Sequence, residues 1–338
     1  MREEHCVVIG NGPAGNEAAT TVREHAPDVR ITVIGQETVH QYKPNLLPDY
    51  IAGKISYADL FVTDPGLYKE RDIKLRLGQR VASVDFRNSE LILDHHEKIR
   101  FTGLIIACGA RPRIPEPLQV FEDLLLTLKT VADAEVWIEK LVHVEDVLIA
   151  GGDLTSLCFT KALLSLGKRV IFVLSEDSFW PVRITPEVRE QCAQKLREAG
   201  VDVTECRKIK GLARVSEHSV EVRTDTKTMV VGAVGAFYGL VPDVRFLARS
   251  GLDIERGILV DEHLKTCFDH VYAAGDCAQV FHPALKDYWV SIGRSNAVEL
   301  GKVAAVNLLG GVLSVDVPRE NIFELDGIIA NTSWWLEF

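Results

Sequence analysis

The segment Cys6-Val7-Val8-Ile9-Gly10-Asn11-Gly12-Pro13-Ala14-Gly15 limits what this chain can fold into more than any other feature. A short apolar run leads into three glycines at G-x-G-x-x-G spacing and then into a helical pattern, Asn16-Glu17-Ala18-Ala19. That order is the βα opening of a dinucleotide-binding fold. Gly10 permits the tight turn, Gly12 removes a side chain where the backbone approaches a pyrophosphate, and Gly15 lets the helix pack closely on the strand. The helix N-terminus, with Pro13 and Ala14 beside the second glycine, then faces the phosphates. A second strand pattern, Arg30-Ile31-Thr32-Val33-Ile34, runs into Gly35-Gln36-Glu37. Glu37 stands about twenty residues beyond the glycines, where a carboxylate accepts a ribose hydroxyl.

A similar unit begins at Glu145-Asp146-Val147-Leu148-Ile149-Ala150-Gly151-Gly152-Asp153-Leu154-Thr155-Ser156 and continues to Lys168-Arg169-Val170-Ile171-Phe172-Val173. Two such units imply two nucleotide-fold domains. With Ile149 laid on Ile9, Gly152 takes the place of the second glycine, while Ala150 and Thr155 replace the first and third. Asp153 adds a carboxylate at the positive end of the helix, where it either competes with a pyrophosphate or acts as an ordinary N-cap. Glu176 and Asp177, after the next strand, offer an acid to an adenosine ribose.

Composition excludes other classes. A formal charge of −10, from 48 acidic and 38 basic residues, does not suit a non-specific nucleic-acid binder, which collects positive charge to displace counterions. No apolar run reaches the roughly 18 residues of a membrane span, and the N-terminus does not read as a signal peptide, so a cytoplasmic chain is expected. Seven cysteines are scattered without a C-x-x-C pair, so local spacing writes neither a zinc site nor a redox dithiol. His95 and His96 are adjacent between charged residues and read as a hairpin turn. No H-E-x-x-H or G-x-S-x-G motif is present.

With both units in view, the chain resembles the FAD-dependent pyridine nucleotide–disulfide oxidoreductases, in the branch without a redox disulfide that holds rubredoxin and ferredoxin reductases and the flavin part of nitrite reductase. The resemblance is carried by Tyr42-Lys43-Pro44-Asn45-Leu46-Leu47-Pro48, by Leu104-Ile105-Ile106-Ala107-Cys108-Gly109-Ala110-Arg111-Pro112, and by Val271-Tyr272-Ala273-Ala274-Gly275-Asp276-Cys277. It implies an α/β chain of two Rossmann-like three-layer domains, the second inserted in the first. The FAD domain would be 1–115 and 249–315, the NAD(P)-binding-like domain 116–248, and 316–338 a tail left from the family's interface domain. FAD contacts are implied at Gly10, Gly12, Pro13, Ala14, Gly15, Glu37, Lys43, Pro44, Val81, Ala107, Cys108, Gly109, Arg111, Gly275, Asp276 and Trp289. Asp276 would bond the ribityl chain, with the following helix aimed at the pyrophosphate. Lys43 would tune the flavin as a nearby cation, and Trp289 would either stack on the ring or join the core.

A nicotinamide dinucleotide site would comprise Ala150, Gly151, Gly152, Asp153, Thr155, Glu176 and Asp177, with NAD(H) or NADP(H) expected to bind poorly. The resemblance implies electron transfer between the flavin and an iron–sulfur protein, within a larger complex or as an autonomous NAD(P)H-dependent reductase. Sulfide:quinone chemistry is a weaker reading, since Cys158 matches one of that family's cysteines but none follows Cys277. A non-redox flavin sensor also stays open. The family's usual homodimer is not expected, and Trp334, Trp335 and Phe338 need burial on the chain itself or on a partner.

Overall fold

The computed structural model describes residues 4–62, 64–174, 186–206, 208–283, 286–290 and 293–315, together with the backbone of 322–325 and 328–331. The side chains of Leu154 and Val188 are outside that description, as are Glu176, Asp177 and the aromatic residues of the tail. The chain forms two compact α/β units. The first gathers Met1–Tyr42, Phe61–Arg111 and Val241–Val317; the second gathers Lys43–Leu60, Pro112–Leu240 and Pro318–Phe338.

The first unit is built on a five-stranded parallel sheet in the order Val271–Ala273, Gly103–Ile106, His5–Ile9, Arg30–Ile34, Ile73–Arg76. The chain builds outward from His5–Ile9 on one side and then returns to the other. Strand order therefore reverses between His5–Ile9 and Gly103–Ile106, and a sheet of this kind opens its ligand crevice there, beyond the C-terminal strand ends. Both strands are buried along their whole length, which is why they read as continuous apolar runs rather than as alternation. Helix Pro13–His25 buries a face of small residues and packs on helix Arg294–Leu308. A Cβ at Gly301 would lie 2.2 Å from the Ala14 carbonyl oxygen, so that close approach requires glycine. Strands Glu90–Leu93 and Lys98–Arg100 form the hairpin expected around His95 and His96, whose turn holds His96 at φ 68°.

The second unit repeats the plan with four parallel strands in the order Asp202–Glu205, Arg169–Leu174, Asp146–Gly151, Ala233–Phe237. Here the order reverses between Asp146–Gly151 and Ala233–Phe237. Trp137, Phe159 and Phe172 are fully buried in its core, and the Trp137 indole donates to Thr127 O at 3.0 Å. The short helix Leu47–Ile51 packs against Val131–His143 and Leu154–Ser165. Lys43 and Pro44, which the sequence reading placed in the first domain, thus group with the second unit, because Leu47 and Ile51 bury their side chains there. Besides the boundaries at Tyr42–Lys43 and Leu60–Phe61, the chain crosses between units at Arg111–Pro112 and Leu240–Val241. No helix among the described residues is long and apolar enough to cross a membrane.

Candidate functional site

In the first unit the three glycines line the point where strand order reverses. Gly10 adopts φ 115°, and a Cβ there would lie 2.0 Å from Ala107 O. Its N–H donates to Ile34 O at 2.8 Å, while Ala107 N–H donates to Ile9 O at 2.7 Å. A Cβ at Gly15 would lie 2.0 Å from Gly10 O, so the helix rests directly on the turn. Gly12 differs: its φ of −82° suits any residue, and a Cβ there would meet nothing within 4 Å. The glycine at this position therefore faces open space at the start of a helix. That helix has no side-chain cap and no acid in its first turn. Uncapped N–H groups and the positive end of the helix dipole, facing open space, make an anion site.

Asn16, which the sequence reading did not single out, ties this loop down. Its amide donates to Asn11 O at 2.7 Å, Asn11 Oδ1 at 3.0 Å and Gly12 O at 3.0 Å, and the Tyr68 hydroxyl donates to its Oδ1. The signal in the sequence was a polar residue among alanines on a buried helix face. Glu37 is held in place by the buried Tyr42, whose hydroxyl donates to Oε2 at 2.9 Å and Oε1 at 3.2 Å.

The other candidates of this unit sort by position. Gly275 adopts φ 76°, and a Cβ there would lie 3.0 Å from Ala14 Cβ, which places the Val271–Ala273 strand end against the first turn of the helix. Asp276 follows it and is half-buried. The element after Asp276 is strand Ala278–His282, not the expected helix, because the chain turns back into a three-stranded sheet before Arg294–Leu308 begins. Trp289 is 4% exposed in a strand register opposite Val280, which makes it a core residue. Val81 is likewise buried, at the start of strand Val81–Asp85. Arg111 Nε lies 3.8 Å from Asp243 Oδ1.

Cys108 and Cys277 come together from strand ends far apart in sequence. Their thiols hydrogen-bond each other; the bond and burial push Cys108 well above the ordinary thiol range, while the same bond draws Cys277 below it against the effect of burial. Cys277 Sγ also lies 3.3 Å from the carbonyl oxygens of Ile106 and Ala274. Cys158 is exposed on helix Leu154–Ser165.

The second unit has the same turn with a different occupant. Gly151 adopts φ 97°, and a Cβ there would lie 2.3 Å from Phe237 O, the relation that Gly10 bears to Ala107. Gly151, not Ala150, is thus the turn glycine; Ala150 is a fully buried strand residue. The sequence register was off by one because the apolar run continues one residue further into the turn here. The helix N-cap is Asp153, in a capping box with Ser156. Ser156 N–H donates to Asp153 Oδ1 at 2.8 Å, and Ser156 Oγ accepts from Asp153 N–H at 2.9 Å and donates to Asp153 O at 2.6 Å. The backbone N–H groups of Gly239, Thr155 and Asp153 itself also favour the carboxylate. Burial nevertheless pushes the Asp153 carboxyl above its usual range. Thr155 is half-buried, and its side chain is not among the groups that favour the Asp153 carboxylate.

The pattern that defines the pyridine nucleotide-disulphide oxidoreductases matches residues 4–304. The chain is similar to putidaredoxin reductase CamA of Pseudomonas putida, with 27% identity over 91% of this chain and 75% of that protein. It is also similar to the ferredoxin--NAD(+) reductase component of the anthranilate 1,2-dioxygenase system of Burkholderia cepacia, with 29% identity over 92% of this chain and 77% of that protein. The solved covalent putidaredoxin reductase–putidaredoxin complex matches the fold with a TM-score of 0.86 at 24% identity, covering 96% of this chain and 79% of that one.

Proposed function

The chain belongs to the pyridine nucleotide-disulphide oxidoreductase family, and from that premise we propose that it carries FAD in its first unit and exchanges electrons with an iron–sulfur protein, a reading supported by relatives named as reductases of putidaredoxin and of a ferredoxin. It is an FAD-dependent oxidoreductase. The observation that carries the assignment is the open space at Gly12 in front of an uncapped helix. The N–H groups of that first turn hold the pyrophosphate, and Gly10 and Gly15 keep the strand, turn and helix close enough to aim them. Glu37, oriented by Tyr42, accepts from a ribose hydroxyl, and Asp276 accepts from the ribityl chain. FAD, when bound, supplies exchange of electron pairs and of single electrons. Lys43 and Pro44 group with the second unit, and the assignment rests on the residues of the first. We place this work in the cytoplasm, where the seven free cysteines stay reduced.

The test is to measure FAD content of the purified full chain and then mix it anaerobically with a reduced ferredoxin and, separately, a reduced rubredoxin. One FAD per chain and rapid bleaching of flavin absorbance by either protein are expected. A chain without FAD, or a flavin inert to both proteins, would refute the proposal; the second result would favour a sensing role.

A further inference from the structure

We propose that Asp153 sets what the second unit accepts: its carboxylate stands where a dinucleotide pyrophosphate would bind and excludes NAD(H) and NADP(H). The inference deepens the reading of the chain as an FAD-dependent oxidoreductase and rests on it. It also implies that electrons reach and leave the flavin through protein partners at both ends.

Geometry, rather than apolar pattern, aligns the two helix starts. Gly10 and Gly151 share a positive φ and a Cβ position blocked by a carbonyl of the neighbouring strand, Ala107 O at 2.0 Å and Phe237 O at 2.3 Å. Counting from that anchor, Gly12 corresponds to Asp153 and Gly15 to Ser156. The N-caps agree with this register, since both have extended backbone: Gly12 at φ −82° and ψ −172°, Asp153 at φ −135° and ψ −176°. Where the first unit leaves open space, the second places a carboxylate.

That carboxylate already uses the donors a phosphate would need. It accepts from Ser156 N–H at 2.8 Å, in the first turn of the helix, and the backbone N–H groups of Thr155 and Gly239 favour its charge. Ser156 is 0% exposed, and its hydroxyl closes the box on Asp153 from the other side. An arriving pyrophosphate would have to displace one anion from these donors and remain beside its charge. Ser156 further puts a side chain where the third glycine of the first unit has none. An N-cap that merely stabilised the helix would leave dinucleotide affinity unchanged on removal, so the two roles separate experimentally.

The test titrates NADH and NADPH, by calorimetry and nicotinamide fluorescence, into the FAD-loaded full chain and into Asp153→Asn, Asp153→Gly and Asp153→Gly/Ser156→Gly. Wild type is expected to show no saturable binding up to about millimolar nucleotide. The double variant should bind at least about a hundredfold more tightly, the scale of removing one nearby like charge and freeing its donors. Asp153→Asn, which keeps a good cap without the charge, should gain less. Micromolar binding by wild type would overturn the proposal, as would a folded, FAD-loaded double variant that binds no better than wild type. If the glycine variants do not fold, Asp153→Asn decides, and no gain there overturns the proposal. FAD content separates the two readings: an FAD-free wild type refutes the proposed function, whereas a flavin-loaded wild type that binds NADH tightly refutes this inference alone.

Discussion

Gly12→Asp moves the residue found in the second unit into the first. Sterically the fold should tolerate it, because a Cβ at Gly12 meets nothing within 4 Å and φ is −82°. A carboxylate there can cap helix Pro13–His25, so the apo-protein should melt at the same temperature or slightly higher, aspartate being favoured over glycine at N-caps. Flavin binding should behave oppositely. At about 4 Å and an effective dielectric constant of about 20, one like-charge pair costs about 4 kcal/mol. At about 1.4 kcal/mol per tenfold, FAD affinity falls about a thousandfold from that pair alone. The assay is paired: FAD released on denaturation gives occupancy, and circular dichroism of the apo-protein gives the melt. A colourless, fully folded variant is expected. Full FAD occupancy would refute the cradle assignment, and a colourless variant that has also lost its fold would refute the claim that the space at Gly12 is open.

Gly301→Ala should destabilise the first unit by about 1–3 kcal/mol, because its Cβ would collide with the Ala14 carbonyl oxygen at 2.2 Å. An unchanged or raised melting temperature, the result helix propensity alone would give, would count against that close contact. Glu97 is held down to about 2 by bidentate hydrogen bonds from Arg76, at 2.6 and 2.7 Å, and by His95 at 3.1 Å. A depressed carboxyl stabilises above its ordinary pKa of about 4.5 and loses that contribution as pH falls through the folded value. His95, raised by the same carboxylate, stays charged throughout that window. The stability advantage of wild type over Glu97→Gln, read from denaturant midpoints, should be complete near pH 6 and shrink between about 4.5 and 2. A difference constant across that range would show that the carboxylate does not carry it.

The first cradle was legible because its requirements are local: a positive φ at Gly10, a missing Cβ at Gly15 and an apolar strand just before them leave marks within ten residues. The second was misregistered because the decisive contact is with Phe237, far along the chain, and an apolar alanine at position 150 extends the strand pattern past its counterpart. Tyr42 shows a related limit. It was legible as part of a local motif, but its bond to Glu37 depends on how the intervening turn folds back. Lys43 and Pro44 were recognisable for the same local reason, whereas the unit they join is decided by where Leu47 and Ile51 bury themselves. Trp289 is 4% exposed and pairs with Val280 across the sheet, a placement no local motif writes.

The two helix starts also differ in what each unit needs in order to exist. Helix Leu154–Ser165 brings its own anion and is complete as polypeptide. Helix Pro13–His25 lacks a side-chain cap, so its first N–H groups are left to water or to a bound anion. A ligand that binds the native state alone adds RT ln(1 + [L]/Kd) to its stability. FAD bound there as proposed would in this sense be a folding ligand for the first unit. Added flavin is therefore expected to protect the first unit from heat and proteolysis in proportion to the occupancy of this site.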